Sequence, residues 1–413
     1  MKNTFSLGSL GQTFSSLRHR DYLLLWIGTV ISHSGDWMDQ IAFNWLVLEI
    51  TNSPLSLGMV NLFRALPVII LVPFGGVAAD RWERRKILLV TQTAAMCLAF
   101  LLGTLVILGV VKTWEIYLIA ALRGAIMSFN MPARQSIISD IVPKTDLPNA
   151  IALNSATNNL TRVLGPAAGG ILIAVFGVGW LFYLNGLSFL AILWTLYLIK
   201  DYKTLGGKAK TSPWSELKEG VVFLRGNKLL LYLVLLAVVP MFFGQPYITM
   251  LTVFARDVLR IGPVGLGLLT STAAIGSITG ALIVAGRKES PKISIMLCEI
   301  MLFGIALLIF SFSHGVIVSL FFLFLAGGCN IAYNATNNTL IQLNVPDAYR
   351  GRVISIFFLN RGIVPLGTAT TGLLAEKWGA PAALGFMACL LITLGIGAFI
   401  ARPDIASLSS RSN

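Results

Sequence analysis

Residues Tyr22 to Ile50 read YLLLWIGTVISHSGDWMDQIAFNWLVLEI. These 29 residues suffice to cross a bilayer as a helix with both tips in the interface. Asp36 stands 14 residues from either end, which puts a carboxylate at the membrane midplane, where a charge costs about 2.5–3.5 kcal/mol. Thr29, His33, Asp36, Gln40 and Asn44 recur at helical spacing and make one polar stripe on an otherwise apolar rod. A stripe of this kind avoids lipid and faces other helices or a water-filled cavity.

The rest of the chain fits a protein built of such rods. It has 413 residues, 56% of them hydrophobic and 12% charged, with a mean hydropathy of +0.79. That composition belongs to a polytopic membrane protein. The pattern predicts spans at 22–50, 55–79, 87–110, 114–134, 147–175, 179–199, 229–254, 264–285, 293–313, 316–340, 353–375 and 380–401. A net charge of +13 raises nucleic acid as a partner, so the distribution of the charge decides. Of the 31 Lys and Arg, 23 fall on the side that holds both termini and 4 on the other. This asymmetry predicts a multi-pass protein of the cytoplasmic membrane with both termini cytoplasmic. The basic residues then contact anionic membrane lipids, and nucleic acid is not expected. Cys97, Cys298, Cys329 and Cys389 all lie in apolar runs and read as buried free thiols rather than disulfides or metal ligands. The polar first 20 residues lead directly into a full-length span, so no cleavable signal peptide is expected.

One long polar connection, 200–228, separates a half at 1–199 from a half at 229–413. Seven basic residues with Gly206, Gly207, Ser212 and Pro213 mark it as a cytoplasmic linker, within which Ser215 to Leu224 can form a short surface helix. The halves echo each other. Val142-Pro143, Ile151 and Gly169 match Val345-Pro346, Ile354 and Gly372 at an offset of 203. Arg18 and Leu23-Leu24 match Arg225 and Leu230-Leu231 at 207. A duplicated six-helix unit is the plan of many secondary transporters.

The loop after the second predicted span reads Gly75-Gly76-Val77-Ala78-Ala79-Asp80-Arg81-Trp82-Glu83-Arg84-Arg85-Lys86. It resembles the signature loop of the major facilitator superfamily, with Gly76, Asp80, Arg81, Arg84 and Arg85 at its positions and Glu83 where a glycine is usual. Physically, Gly76 permits close helix approach, and Asp80 can pair with Arg81 or Arg84 or face a helix N-terminus. The resemblance implies a cytoplasmic gate; without it the loop is a positively charged inner connection. The stretch Arg162-Val163-Leu164-Gly165-Pro166-Ala167-Ala168-Gly169-Gly170 resembles a motif of proton-coupled drug exporters in that superfamily, with Thr161 in place of its first glycine. Pro166 bends the helix, while Gly165, Gly169 and Gly170 allow tight packing, together a packing hinge. Pro132-Ala133-Arg134-Gln135 and Arg350-Gly351-Arg352-Val353 resemble the branch that includes macrolide-efflux and enterobactin-exporter proteins. With the span pattern, the resemblance covers nearly the whole chain. It implies an all-α membrane protein of twelve transmembrane helices in two pseudo-symmetric six-helix bundles.

Four arginines, Arg64, Arg123, Arg162 and Arg361, also lie within predicted spans and read as charge partners in a cavity. Arg64 lies at about the depth of Asp36 by helical rise, so the two can pair, either as a static ion pair or as one that water or cargo opens to a proton. Asp39, one turn further out and off the stripe, is a second candidate proton carrier. His33 is either a third or a satisfied hydrogen-bonding group. Glu299 stands near an inner helix end, where snorkelling is expected. Asn154, Asn158, Asn159, Asn330, Asn334, Asn337 and Asn360 supply further polar faces expected to line the cavity. A cavity with surplus positive charge suits neutral or acidic amphipaths.

Together these features predict a secondary transporter, functional as a monomer, that exports hydrophobic or amphipathic small molecules such as drugs and antibiotics by proton antiport with alternating access. The alternatives are a dedicated exporter of a siderophore or other acidic metabolite, and a proton-coupled importer or lipid translocator. No HExxH, GxSxG or Walker loop occurs, so neither an enzyme nor an ATP-driven pump is expected, and neither a cofactor nor a metal.

Overall fold

In the computed structural model, residues 14–199, 213–287 and 290–401 are described. Among them every regular element is helical, as hydrocarbon requires of backbone that must satisfy its own hydrogen bonds. The helices are α1 Arg20–Thr51, α2 Pro54–Arg81, α3 Arg84–Ile107, α4 Thr113–Ile141, α5 Leu147–Phe176, α6 Val178–Leu198, α7 Pro213–Gly226, α8 Lys228–Val258, α9 Gly262–Ala285, α10 Ile293–Ser311, α11 Val316–Asn344, α12 Asp347–Trp378 and α13 Ala380–Ala401. Eleven are long and apolar enough to cross a membrane. The twelfth span is α1, whose 32 residues carry the charges discussed above. The short α7 occupies the described part of the linker, overlapping the expected surface helix. Among the described residues the protein thus has twelve transmembrane helices in two pseudo-symmetric sets of six.

Several ends depart from expectation. The fourth span was expected to stop at 134, yet α4 runs to Ile141 with Pro132 inside it. Arg134 therefore sits within a helix, not at its end. Pro240 and Pro246 flank a π-helical turn of α8 at Pro240–Gly244, and a second π-helical turn follows at Phe254–Val258. α12 breaks into a 3-10 turn at Asn360–Ile363, just before Pro365.

Of the described residues, 14–43 with 63–199 form one compact unit, and 44–62 with 213–287 and 290–401 another. The segment 44–62, expected with the first half, is thus gathered with the second. In the first unit, α2 and α4 approach through glycine. A Cβ on Gly75 would lie 2.0 Å from Ser128 O, and one on Gly124 would lie 2.0 Å from Arg64 O. In the second unit, α9 and α11, the helices in the same places counted along that half, do likewise. There a Cβ on Gly276 would lie 2.0 Å from Phe324 O, and one on Gly327 would lie 2.1 Å from Ala273 O. Small residues at such crossings gain contact where no hydrophobic drive exists between helices. The joints repeat too: Gly177 between α5 and α6 and Gly379 between α12 and α13 both have φ +82, a conformation that favours glycine.

In the second unit α7 docks on the first turns of α12. Phe223 stacks on Tyr349 at 4.1 Å, Arg352 pairs with Glu219 at 3.1 Å, and Arg350 pairs with Asp347 at 2.6 Å. Arg352 of the Arg350–Val353 stretch therefore anchors the linker helix, while Arg350 pairs within α12 itself. Two sequence expectations are corrected here. Glu299 does not snorkel: it is 5% exposed and meets Arg287 Nη1 at 2.6 Å. The cysteines are free but not buried, since Cys97, Cys298 and Cys389 are exposed and Cys329 is half-buried.

Candidate functional site

The polar stripe of α1 owes its direction to what packs on the other sides of that helix. Successive residues turn by about 100°. Gly28 and Gly35 lie against α6, where added Cβ atoms would meet Thr195 Oγ1 at 2.4 Å and Ser188 Oγ at 2.3 Å. Trp37 and Met38 lie against α5: a Cβ on Gly165 would stand 2.5 Å from Trp37 Cβ, and one on Gly169 would stand 3.1 Å from Met38 Cα. Gly165, Pro166, Gly169 and Gly170 are all buried, so the glycine-rich stretch is a seat for α1. With α5 and α6 on two flanks, the remaining flank carries His33, Asp36, Gln40 and Asn44.

Four charged or ionisable groups surround that flank. Arg123 of α4 holds Asp39 through both carboxylate oxygens, at 2.5 and 3.0 Å, and its guanidinium lies over the Phe43 ring at 4.8 Å. Arg134, eleven residues on and so nearly on the same face of α4, meets His33 Nε2. Asp36 is exposed and lies in the fields of Arg134, Asp39, Arg123 and Arg64. Among the described residues it has no hydrogen bond or ion pair. A lipid-facing residue would not have three arginines around it.

The expected Asp36–Arg64 pair is therefore replaced by Asp39–Arg123. Arg64, on α2, instead points Nη2 at Met127 Sδ, 3.9 Å away. The reason is reach across the helix face. Asp39 is turned toward α4, where Arg123 binds it bidentately, the strongest geometry open to either group. His33 does not stand as a free proton carrier. A guanidinium donating to Nε2 uses that lone pair, and Nδ1 is buried. Arg162 lies half-buried on α5, and Arg361 is exposed in the 3-10 turn of α12, with its guanidinium 4.8 Å from the Phe358 ring. Of the asparagines expected to line a cavity, Asn337 and Asn360 instead donate to Leu233 O and Val234 O of α8. They join helices. Arg134 was quoted only for its resemblance; its spacing from Arg123 was the signal that it belongs to the charge cluster.

In the first unit the basic loop between α2 and α3 is used in detail. Arg84 donates to Ala79 O at 3.1 Å, to Ser136 O at 3.1 Å and to Asp140 at 2.5 Å. Arg85 donates to Leu196 O and Tyr197 O at 2.7 and 3.0 Å. Both cations thus satisfy carbonyls at helix C-termini, as the helix dipole favours. The acid that Arg84 holds is Asp140, not Asp80. Asp80 and Arg81 are exposed, and Asp80 makes no bond among the described residues. Gly76 also departs from expectation: a Cβ there meets nothing within 4 Å, and Gly75 is the glycine of close approach. Just outside the spans, Asp146 precedes α5 and accepts from His19 at 2.8 Å and Ser15 at 3.0 Å. Those hydrogen bonds, the one from His19 first, hold its carboxyl below the usual aspartate value.

Comparison with known proteins agrees with this architecture. The family model described as transmembrane secretion effector matches residues 11–412. The staphyloferrin A transporter of Staphylococcus aureus is 28% identical over 348 residues, 84% of this chain and 87% of that protein. Macrolide efflux protein A of Streptococcus pyogenes is 23% identical over 369 residues, 87% of this chain and 90% of that one. Among solved structures, the nucleoside transporter NupG superposes with a TM-score of 0.73 at 14% identity, over 92% of this chain and 98% of that one, a likeness of fold. A match across nearly all residues, with twelve spans and a charged midplane helix, places the chain in the transmembrane secretion effector family of major facilitator superfamily transporters.

Proposed function

We propose that the protein exports amphipathic small molecules from the cytoplasm in exchange for protons, by alternating access, with Asp36 as the proton-coupling carboxylate. The observation that carries this reading is a carboxylate halfway along α1 left without a bonded partner among the described residues and in the field of three arginines, while Asp39 close by is fully paired. A group so placed answers to whatever enters next to it. A neutral cargo with hydrogen-bond donors engages the ionised carboxylate, and a proton removes that acceptor. Cargo and proton then compete for one group, which is what exchange requires. Asp39 with Arg123 serves as the fixed frame, and the Gly76–Arg85 loop with Asp80 as the inner gate. Both termini face the cytoplasm on the charge asymmetry of the loops. The test is cargo uptake into everted membrane vesicles from a panel of dyes, macrolides and siderophores. Accumulation on acidifying the lumen supports export by exchange, and indifference to the gradient for a cargo that is carried contradicts it.

A second reading, a proton-coupled importer of an acidic metabolite, draws on Arg64, which has no carboxylate within 4 Å among the described residues, and on the similarity to a staphyloferrin A transporter. Its coupling has the opposite sign. An anion seated at Arg64 weakens the positive field over Asp36 and favours its protonated form, so cargo and proton bind together and travel the same way, which an inward proton gradient drives as uptake. Cargo affinity that rises on acidification marks this second reading. Affinity that falls marks the first.

A further inference from the structure

The turn between α1 and α2 is two residues long, Asn52 and Ser53, with Asn52 at φ +48. So short a turn leaves the last carbonyls of α1 and the first N–H groups of α2 short of partners. Distant residues of the second unit supply them. Arg256, in the π-helical turn at the end of α8, donates Nη1 to Leu48 O at 2.6 Å and Nη2 to Asn52 Oδ1. Asp257 braces that guanidinium at 2.6 and 3.1 Å. Glu376, near the end of α12, accepts from Ser53 Oγ at 2.8 Å and from Leu55 N–H at 3.3 Å. A cation therefore meets the negative end of α1 and an anion meets the positive end of α2, both in the sense that helix dipoles favour. Two glycines bring the backbones together at the same place. A Cβ on Gly58 would stand 2.7 Å from Ala369 Cα, and one on Gly372 would stand 2.6 Å from Pro54 O.

We propose that Arg256 and Glu376 form an outer latch that clamps the α1–α2 turn from both sides and must release each time the outer side opens. Each partner acts on a helix terminus rather than on the cargo, so both are gating residues and neither is a cargo ligand. Backbone groups and the Asn52 and Ser53 side chains meet the charges, so the turn is held with no compensating charge of its own. A clamp of that kind is strong enough to order the turn and simple enough to part without stranding a buried ion. The inference rests on the alternating-access part of the function proposed above and not on the driving ion.

The experiment uses the full chain in proteoliposomes, with the four cysteines replaced by serine. In Ser53→Cys/Glu376→Cys, a short cleavable bifunctional thiol reagent bridges the latch. Bridging is expected to lower transport by about tenfold or more, with recovery on reduction. Fully bridged protein that transports at the unbridged rate overturns the proposal. A second arm places Leu57→Cys, which is fully buried in the native chain, with Arg256→Gln or Glu376→Gln. A membrane-impermeant maleimide outside is expected to label this cysteine several-fold faster than with the latch intact, at unchanged size-exclusion profile. Equal labelling overturns the proposal. A bridged protein that stops, when unbridged protein ignores a pH gradient, sinks proton exchange and leaves the latch standing.

Discussion

Arg123 grips Asp39 with two parallel hydrogen bonds, and Asp36, one turn away on the same helix, is gripped by nothing. The two acids differ in what holds them, and that difference predicts different behaviour on substitution. Asp39→Asn strands a largely buried guanidinium, which typically costs about 3–5 kcal/mol. Yield and melting temperature in detergent should fall sharply, and Asp39→Asn combined with Arg123→Gln should recover much of the loss. A single mutant as stable as wild type would show that the pair does not hold the fold.

Gly75 and Gly76 make a test of close packing at adjacent positions. Gly75→Ala drives a methyl into Ser128 O and should lower stability and transport together. Gly76→Ala meets open space and should be neutral or gain up to about 1 kcal/mol from helix propensity. Thermal shift of the two purified variants decides, and equal losses would contradict the assigned crossing.

This pair also marks how far the sequence could be read. The twelve spans were legible because apolar length and loop charge are properties of the linear chain. That glycine mattered in this loop was legible as well. Which glycine mattered was not, because one residue of register turns about 100° around a helix. A boundary set too early hid Arg134, the last residue of the fourth predicted span until α4 was seen to continue through Pro132 to Ile141. The same limit of register paired Arg64 with Asp36 and left Asp39 without a partner, since which arginine meets which acid depends on how α2 and α4 are rotated. Asp140 as the acid for Arg84 could not be read from the loop at all. It comes from another helix, 56 residues on.

The inner loop divides in the same way. Arg84→Ala removes bonds to Ala79 O, Ser136 O and Asp140 at once and should reduce both stability and transport. Asp80→Asn removes no bond seen here, so expression and melting should stay near wild type while turnover slows if the loop gates. Wild-type turnover in Asp80→Asn would reduce the acid to a loop ornament.

The contacts that bring residues 15–19 to the start of α5 give a pH signature. Asp146 titrates below its ordinary value of 3.8 because His19 and Ser15 hydrogen-bond to its ionised form. A lowered carboxylate contributes its stabilisation above the unfolded value and loses it as the pH falls through the folded one. Protection of residues 15–19 in hydrogen exchange should therefore hold from neutral pH down to about 4 and decline only below it. In Asp146→Asn protection should be low throughout. A decline already near neutrality in the wild type would assign the anchoring to another group.

The most direct measurement compares wild type with Asp36→Asn in proteoliposomes, using one cargo that the panel shows to be carried. Transport is followed with and without a pH gradient, alongside cargo–cargo counterflow. Asp36→Asn should lose the gradient-driven component and keep counterflow, because the cavity and both gates remain while the titrating group is gone. Gradient-driven transport that survives in Asp36→Asn would remove this carboxylate from coupling.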